Sequence, residues 1–261
     1  MRVALFSTCI GDAMFPDASK ATALVLSRLG YEVVFPKDQT CCGQMHVNTG
    51  YQKEAIPLIR NYVDAFTDPS IDYVVAPSGS CIGAVREQHE HIADRYGDKT
   101  LAAGAHEAAK KSLDLPEFLI DVAGVEDVGA FFPHKVTYHP SCHGLRFIKL
   151  GDRPYRLLSK VAGMELVELP NKEECCGFGG TFSLKNAETS AAMVSDKTRN
   201  IELTGAEYVT GGDSSCLMNI AGNLSRKHVG IRAIHIAEIL ASTKEHPWTP
   251  DSAAYSREVI L

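Results

Sequence analysis

The chain of 261 residues carries eight cysteines, at positions 9, 41, 42, 81, 142, 175, 176 and 216. They fall into two sets of matching spacing, Cys-x31-Cys-Cys-x38-Cys and Cys-x32-Cys-Cys-x39-Cys. The sequence is therefore an internal duplication to which every cysteine belongs. Four thiols per half could be buried bulk, disulfides that include strained vicinal pairs at Cys41-Cys42 and Cys175-Cys176, or metal ligands. Core packing gives no reason for the pattern to repeat with all eight at strand ends. Disulfides belong to oxidising compartments, whereas the first residues, MRVALFSTCIGD, read as a strand entering a turn and not as an export signal. Metal is the reading that remains. Structural zinc usually takes cysteines two to four apart, so that both thiolates reach one ion. Directly adjacent cysteines point their side chains apart, which suits a polynuclear iron–sulfur cluster better than one small ion. Zinc stays as the lesser alternative, and as a replacement metal in aerobic preparations.

Glycines accompany the paired cysteines. At Gly43, and in the run Gly177, Gly179 and Gly180, missing side chains allow backbone N–H groups to approach a cluster and hydrogen-bond its sulfurs. A tight turn into a helix explains the same glycines, and both can hold. Beyond cysteine, His46, His139, His143 and His235 lie near the motifs or at expected strand ends, where a general base could sit. Arg146 could clamp a carboxylate. For each of these a structural or surface role is the competing reading. No Gly-x-Gly-x-x-Gly fingerprint and no P-loop supports a flavin or nicotinamide held by this chain.

What positions these residues is an alternation of strands and helices, repeated. Val3 to Cys9 matches Val136 to Cys142 as a short apolar strand that ends in a small polar residue and then Cys. Helices are expected from Ala18 to Leu29 and from Tyr155 to Val161, each stopped by a glycine, Gly30 or Gly163. Second strands follow, Glu32 to Pro36 and Met164 to Pro170, with the prolines marking the exits before the Cys-Cys pairs. Longer helices are expected from Gly50 to Phe66 and Ala187 to Leu203, then third strands at Tyr73–Ala76 and Tyr208–Thr210. This order predicts an α/β fold of two pseudo-symmetric parallel-sheet halves, with the four cysteines of each half at the carboxyl edge of its sheet. The expected organisation is a first repeat over 1–97, a helical connector over 98–130, a second repeat over 131–242 and a C-terminal tail over 243–261. That tail is either loosely held or a docking arm.

The balance of the chain excludes some partners. With 45% hydrophobic and 22% charged residues it has material for a globular core, and the net charge of −6 comes with no basic run to track phosphates. Nucleic acid is not expected as a partner. No stretch approaches the ~20 apolar residues of a membrane span, so no transmembrane segment is expected. A cytoplasmic location is, with docking onto a membrane-bound partner left open.

Two copies of Cys-Cys-Gly flanked by distant cysteines resemble the CCG domains of heterodisulfide reductase and of the iron–sulfur subunits of glycolate oxidase and anaerobic glycerol-3-phosphate dehydrogenase. More closely, five segments resemble the lactate utilization protein A family. They are Thr8-Cys9-Ile10-Gly11-Asp12, Cys41-Cys42-Gly43-Gln44, Tyr138-His139-Pro140-Ser141-Cys142, Cys175 to Ser183, and Ser215-Cys216-Leu217-Met218-Asn219-Ile220. The resemblance covers roughly residues 1 to 242. It implies an iron–sulfur subunit of an oxidoreductase system that converts L-lactate to pyruvate and passes electrons towards the respiratory chain. A ferredoxin-like iron–sulfur subunit and a third small subunit are the implied partners, and two iron–sulfur clusters of 4Fe-4S type the implied cofactors. Cys9, Cys41, Cys42, Cys81, Cys142, Cys175, Cys176 and Cys216 are the implied ligands. One departure stands out. The heterodisulfide reductase relatives end each motif in Cys-x-x-Cys, giving five cysteines per site and a noncubane cluster; here Ser78 and Asp213 occupy the position of the extra cysteine. Either an oxygen ligand completes each set, or the cluster is an ordinary four-thiolate one. The departure weakens a second reading, a thiol–disulfide reductase. A third reading is a zinc-stabilised assembly module without redox work.

Overall fold

Strand β1 (Arg2–Leu5) lies in the middle of its sheet, and Val3, Ala4 and Leu5 are buried. A strand covered on both faces reads as a continuous apolar run, as here. The computed structural model describes residues 1–248. In the first half β1 is flanked by β2 (Glu32–Val34) and β3 (Tyr73–Ala76), and β4 (Ser112–Asp114) lies outside β3. All pairings are parallel and the order is β2-β1-β3-β4. The second half repeats this with β5 (Lys135–His139), β6 (Glu165–Val167), β7 (Tyr208–Gly211) and β8 (Arg232–His235), in the order β6-β5-β7-β8. Register repeats as well: Val3 stands opposite Tyr73, and Val136 opposite Tyr208. The α/β class, the parallel sheets and the duplication are as the sequence implies.

The connecting helices follow local chemistry. Pro16 opens the helix Pro16–Arg28, where its fixed φ and missing N–H cost nothing. The helix expected from Gly50 begins as a short 3-10 turn at Lys53 and becomes α-helical over Ile56–Phe66, with Pro57 in its first turn. That helix buries Ile59, Tyr62 and Phe66. Its counterpart, Ala187–Leu203, buries Val194, Lys197 and Ile201 on the same kind of stripe, so a lysine stands among the core residues. The second strands end at Val34 and Val167, short of the prolines.

Residues 98–130 carry helical stretches as expected, Lys99–Lys110 and then Leu115–Glu117 and Phe118–Val122, but between them lies β4, which pairs with β3 as β8 pairs with β7. The fourth strand belongs to the repeat in both halves. Ser-Leu-Asp is too short to show any alternation, so periodicity could not reveal it.

The halves share one core. Val25, Leu26, Phe118 and Leu119 of the first pack in a single cluster with Val136, Leu157, Leu158, Ile239 and Leu240 of the second. Arg28 reaches across to donate to the carbonyls of Leu240 and Ala241. Of the C-terminal tail, Trp248 is buried and its indole N–H donates to Glu238 at 2.8 Å. Residues 249–261, on which the reading of a loose or docking tail also rests, lie outside the described residues. Among the described residues no helix is long and apolar enough to cross a membrane.

Candidate metal centres

Each cysteine stands just beyond a strand end or in the first turn of the helix that follows. Cys9 begins the helix Cys9–Met14, capped by Thr8, whose hydroxyl accepts from the Gly11 N–H. Cys142 begins Cys142–Arg146, capped by Ser141 in the same way. Cys81 and Cys216 sit in the first turns of Gly79–Glu87 and Ser214–Arg226. The paired cysteines occupy the loops after β2 and β6. Gly43 and Gly177 follow them with φ of +80° and +82°, and a Cβ at Gly177 would meet the Ser190 carbonyl oxygen at 2.7 Å. Only glycine turns the chain there. The turn aims the Gly43 N–H at Cys41 Sγ (3.4 Å) and the Gly177 N–H at Cys175 Sγ (3.3 Å).

In each half the four thiols form a chain of contacts. Cys9 Sγ lies 3.5 Å from Cys41 Sγ, Cys41 also interacts with Cys42, and Cys42 with Cys81. Cys142, Cys175, Cys176 and Cys216 repeat the order. The consequence for ionisation is the same twice over. Cys41 is held far below the ordinary thiol range by hydrogen bonds from Cys42 and Cys9, and Cys175 by hydrogen bonds from Cys142 and Cys176. The donors are pushed up: Cys9 and Cys42 by donating to Cys41, Cys142 and Cys176 by donating to Cys175. The first of the paired cysteines is thus the thiolate of its set, which is the metal-binding form. Cys42, Cys81, Cys176 and Cys216 are buried and the other four half-buried, all reduced. Such sets fit a metal or iron–sulfur group. Among the described residues no three of the sulfurs lie within 4.8 Å of one another; the one close triad is His139, Cys176 and Cys216.

The carbonyl of the second paired cysteine is tied down in both halves, by different residues. His89 Nε2 bonds the Cys42 carbonyl at 2.8 Å, and Asn219 Nδ2 donates to the Cys176 carbonyl at 2.8 Å. Sequence reasoning gave neither residue this role. Asn219 lies three residues beyond Cys216, one helical turn, which is the spacing that could have pointed to it.

Ser78 and Asp213, at the positions of the missing cysteines, meet each other between the two sets. They form an isolated antiparallel bridge, and Ser78 Oγ donates to Asp213 Oδ1 at 2.8 Å. Ser80 adds its hydroxyl to Oδ1 (2.6 Å) and its backbone N–H to Oδ2 (3.1 Å). Asp213 stands at the N-cap of its own helix without capping it, because its carboxylate is committed to the other half. Ser78 does cap its helix, accepting from the Cys81 N–H. Asp213, Ser214, Ser215 and Phe178 of the second half thereby close one side of the cleft that holds Cys9, Cys41, Cys42 and Cys81.

Residues 3–86 and 136–221 each match the family described as a cysteine-rich domain, CCG. Proteins called lactate utilization protein A are similar over nearly the whole chain. That of Oceanobacillus iheyensis is 47% identical over 94% of this chain and 98% of its own length, and that of Bacillus subtilis 45% identical over 93% and 100%. The chain belongs to the lactate utilization protein A family. A solved structure of a hypothetical protein from Helicobacter pylori covers 92% of the chain with a TM-score of 0.61 at 11% identity, a likeness of fold alone. The chain spans about half (48%) of the length of that solved protein.

The remaining candidates of this family member separate. His235 caps a helix: its Nδ1 accepts from the Ala237 N–H in a capping box with Glu238, its Nε2 has no partner among the described residues, and burial takes its pKa down to about 4. His143 stacks on Phe147 with ring centroids 4.8 Å apart, beside Cys142. Arg146 is exposed and donates to the Glu173 carbonyl. His46 is half-buried in the helix Gln44–Asn48 that follows the first Cys-Cys-Gly. Gly179 and Gly180 make the turn into the helix Phe182–Lys185, Gly180 packed on Met45 of the first half. His139 alone is fully enclosed with both ring nitrogens unpartnered among the described residues, and burial drives its pKa down to about 3.

Proposed function

We propose that the chain is the cysteine-rich iron–sulfur subunit of an L-lactate-oxidising system. It holds one cluster of 4Fe-4S type in each half and works with a ferredoxin-like iron–sulfur subunit and a third small subunit, which pass electrons towards the respiratory chain. Lactate comes to this reading from the name of the relatives, and the cluster from the thiols. The observation that carries the cluster is their spacing. Four donors around one zinc lie about 4 Å apart, given Zn–S bonds of ~2.3 Å in a tetrahedron. Among the described residues no three sulfurs of either half come within 4.8 Å of one another, although His139 joins Cys176 and Cys216 in one such triad in the second half. Thiolates strung out in a chain suit metals spread over a polynuclear group. When bound, such a group supplies one-electron transfer.

The chain's own residues do the rest. Cys9, Cys41, Cys42 and Cys81 would hold the first group and Cys142, Cys175, Cys176 and Cys216 the second. Gly43 and Gly177 donate to the thiolate of each pair, while His89 and Asn219 fix the peptide after it. Ser78 and Asp213 bond each other, which favours four-thiolate sets over oxygen ligation. The same pairing leaves the thiol–disulfide reductase reading without a fifth thiolate.

Anaerobic purification followed by iron, acid-labile sulfide and zinc analysis tests the reading. About eight iron and eight sulfide per chain are expected for two 4Fe-4S clusters, falling to about half in Cys42→Ser and in Cys176→Ser. Stoichiometric zinc without iron would refute it in favour of the assembly module. Lactate is tested separately: a strain lacking the gene should grow poorly on L-lactate, and unchanged growth without another lactate dehydrogenase removes the substrate.

A further inference from the structure

We propose that His139 is a fifth donor of the second site, with no counterpart in the first, so that the two halves of the duplication hold inequivalent centres. The inference rests on the iron–sulfur reading above and deepens it. His139 ends β5, and the matching residue just beyond β1 is Phe6. Phe6 is fully buried and packs its ring edge-on to Tyr62 at 5.0 Å and to Phe66 at 5.4 Å. An apolar ring asks nothing of the first site. At the corresponding place in the second half an imidazole is 1% exposed, and neither Nδ1 nor Nε2 has a hydrogen-bond partner among the described residues.

A polar ring sealed in without partners is costly unless something in the loaded protein satisfies it. Its position says what that is. One ring nitrogen, Cys176 Sγ and Cys216 Sγ lie within 4.8 Å of one another, and all three residues are buried. Imidazole nitrogen and thiolate sulfur are both ordinary ligands of iron in such groups. The neighbour of His139 differs too. Where Tyr62 packs on Phe6, the matching position in the longer helix carries Lys197, buried, its Nζ donating to the carbonyls of Asn171 (2.9 Å) and Lys172 (3.3 Å). That ammonium satisfies neither ring nitrogen.

The test uses the full chain, purified anaerobically and reduced, with pulsed electron paramagnetic resonance reading nitrogen coupled to the cluster spin. Wild type is expected to show strong coupling from a directly bonded nitrogen, and labelling histidine with nitrogen-15 should change the pattern accordingly, a readout that needs no variant. His139→Phe installs the residue that the first half tolerates. It should abolish the coupling and shift one of two midpoint potentials while leaving the other in place. Iron and sulfide present without strong nitrogen coupling, or coupling that survives His139→Phe, would overturn the inference alone. A chain without iron and sulfide would overturn the iron–sulfur reading and this inference with it.

Discussion

Replacing Asp213 by Asn tests whether the position that lost its cysteine now fastens the two halves together. The carboxylate is 2% exposed and accepts three hydrogen bonds, from Ser78 Oγ (2.8 Å), Ser80 Oγ (2.6 Å) and Ser80 N (3.1 Å). Asparagine keeps one acceptor oxygen for the two hydroxyls, but its amide nitrogen then faces the Ser80 N–H, donor against donor. One charge-assisted bond is lost outright and two weaken, and at ~1.5–3 kcal/mol for a hydrogen bond to a charged group the cost is about 2–4 kcal/mol. Ser80→Ala removes one hydroxyl and leaves the backbone donor, so it should cost about 1.5–3 kcal/mol. Because the two changes share a partner, their effects should not add, and a double-mutant cycle should return a coupling of ~0.5–3 kcal/mol. Urea unfolding of the cluster-free chain measures all three. Trp248, the sole tryptophan, reports on the second half, and far-ultraviolet circular dichroism on the whole. The apolar core shared across the halves should keep the two transitions coincident. A cost below ~0.5 kcal/mol for Asp213→Asn, the range of ordinary surface changes, would refute the view that this carboxylate binds one half to the other.

Two further outcomes follow from buried charge. Burial lifts the Glu238 carboxyl to about 7, against 4.5 ordinarily, even though it accepts from His235 N and Trp248 Nε1. Between pH 4.5 and 7 the unfolded chain has released this proton and the folded one has not, so stability falls as pH rises through that window, by about 3 kcal/mol in all. Glu238→Gln should flatten the profile of urea midpoint against pH; parallel profiles would contradict this. Lys197→Met removes the buried ammonium that interacts with Cys175, Cys176 and Cys216. A unit charge at roughly 8 Å in an effective dielectric near 20 is worth ~2 kcal/mol, or ~90 mV for one electron. Redox titration should show the second potential lowered by about that much and the first unmoved, and equal shifts in both would count against the placement.

The thiols and their carriers were legible because they obey local rules. Cys-Cys-Gly appears twice, and the strands before it are apolar runs whose ends can be read from a single line of sequence. The helix Ala187–Leu203 and the strand Tyr73–Ala76 have the bounds expected of them. What could not be read depends on contacts between distant segments. Strand β4 is three residues long and exists because β3 offers an edge. Ser78 and Asp213 looked like substitutes within their own sets, one per half, whereas the fold sets them against each other 135 residues apart. His89 holds the Cys42 carbonyl only because its helix turns back over the loop. In each case the interaction is set by tertiary placement, which carries no periodicity.

Duplication explains why there are two sites but gives no reason for two alike. Where the scaffold needs the same backbone, the halves kept the same residues: a glycine at positive φ after each pair, a hydroxyl cap before Cys9 and before Cys142. Where the scaffold needs only a filled space, they diverged. Phe6 and Tyr62 close the first site with two rings, while His139 and Lys197 close the second with an imidazole and an ammonium. Both changes alter the surroundings of the second site, and a nearby cation favours the reduced form of a negatively charged group. The first site opens on the cleft shared with the second half, at Asp213 and Phe178. On the reading proposed above, the asymmetry between the two centres resides in the pair His139 and Lys197. Exchanging both for the residues of the first half, His139→Phe with Lys197→Tyr, should bring the two midpoint potentials together while leaving iron content at both sites. Potentials that stay as far apart as in wild type would locate the asymmetry elsewhere.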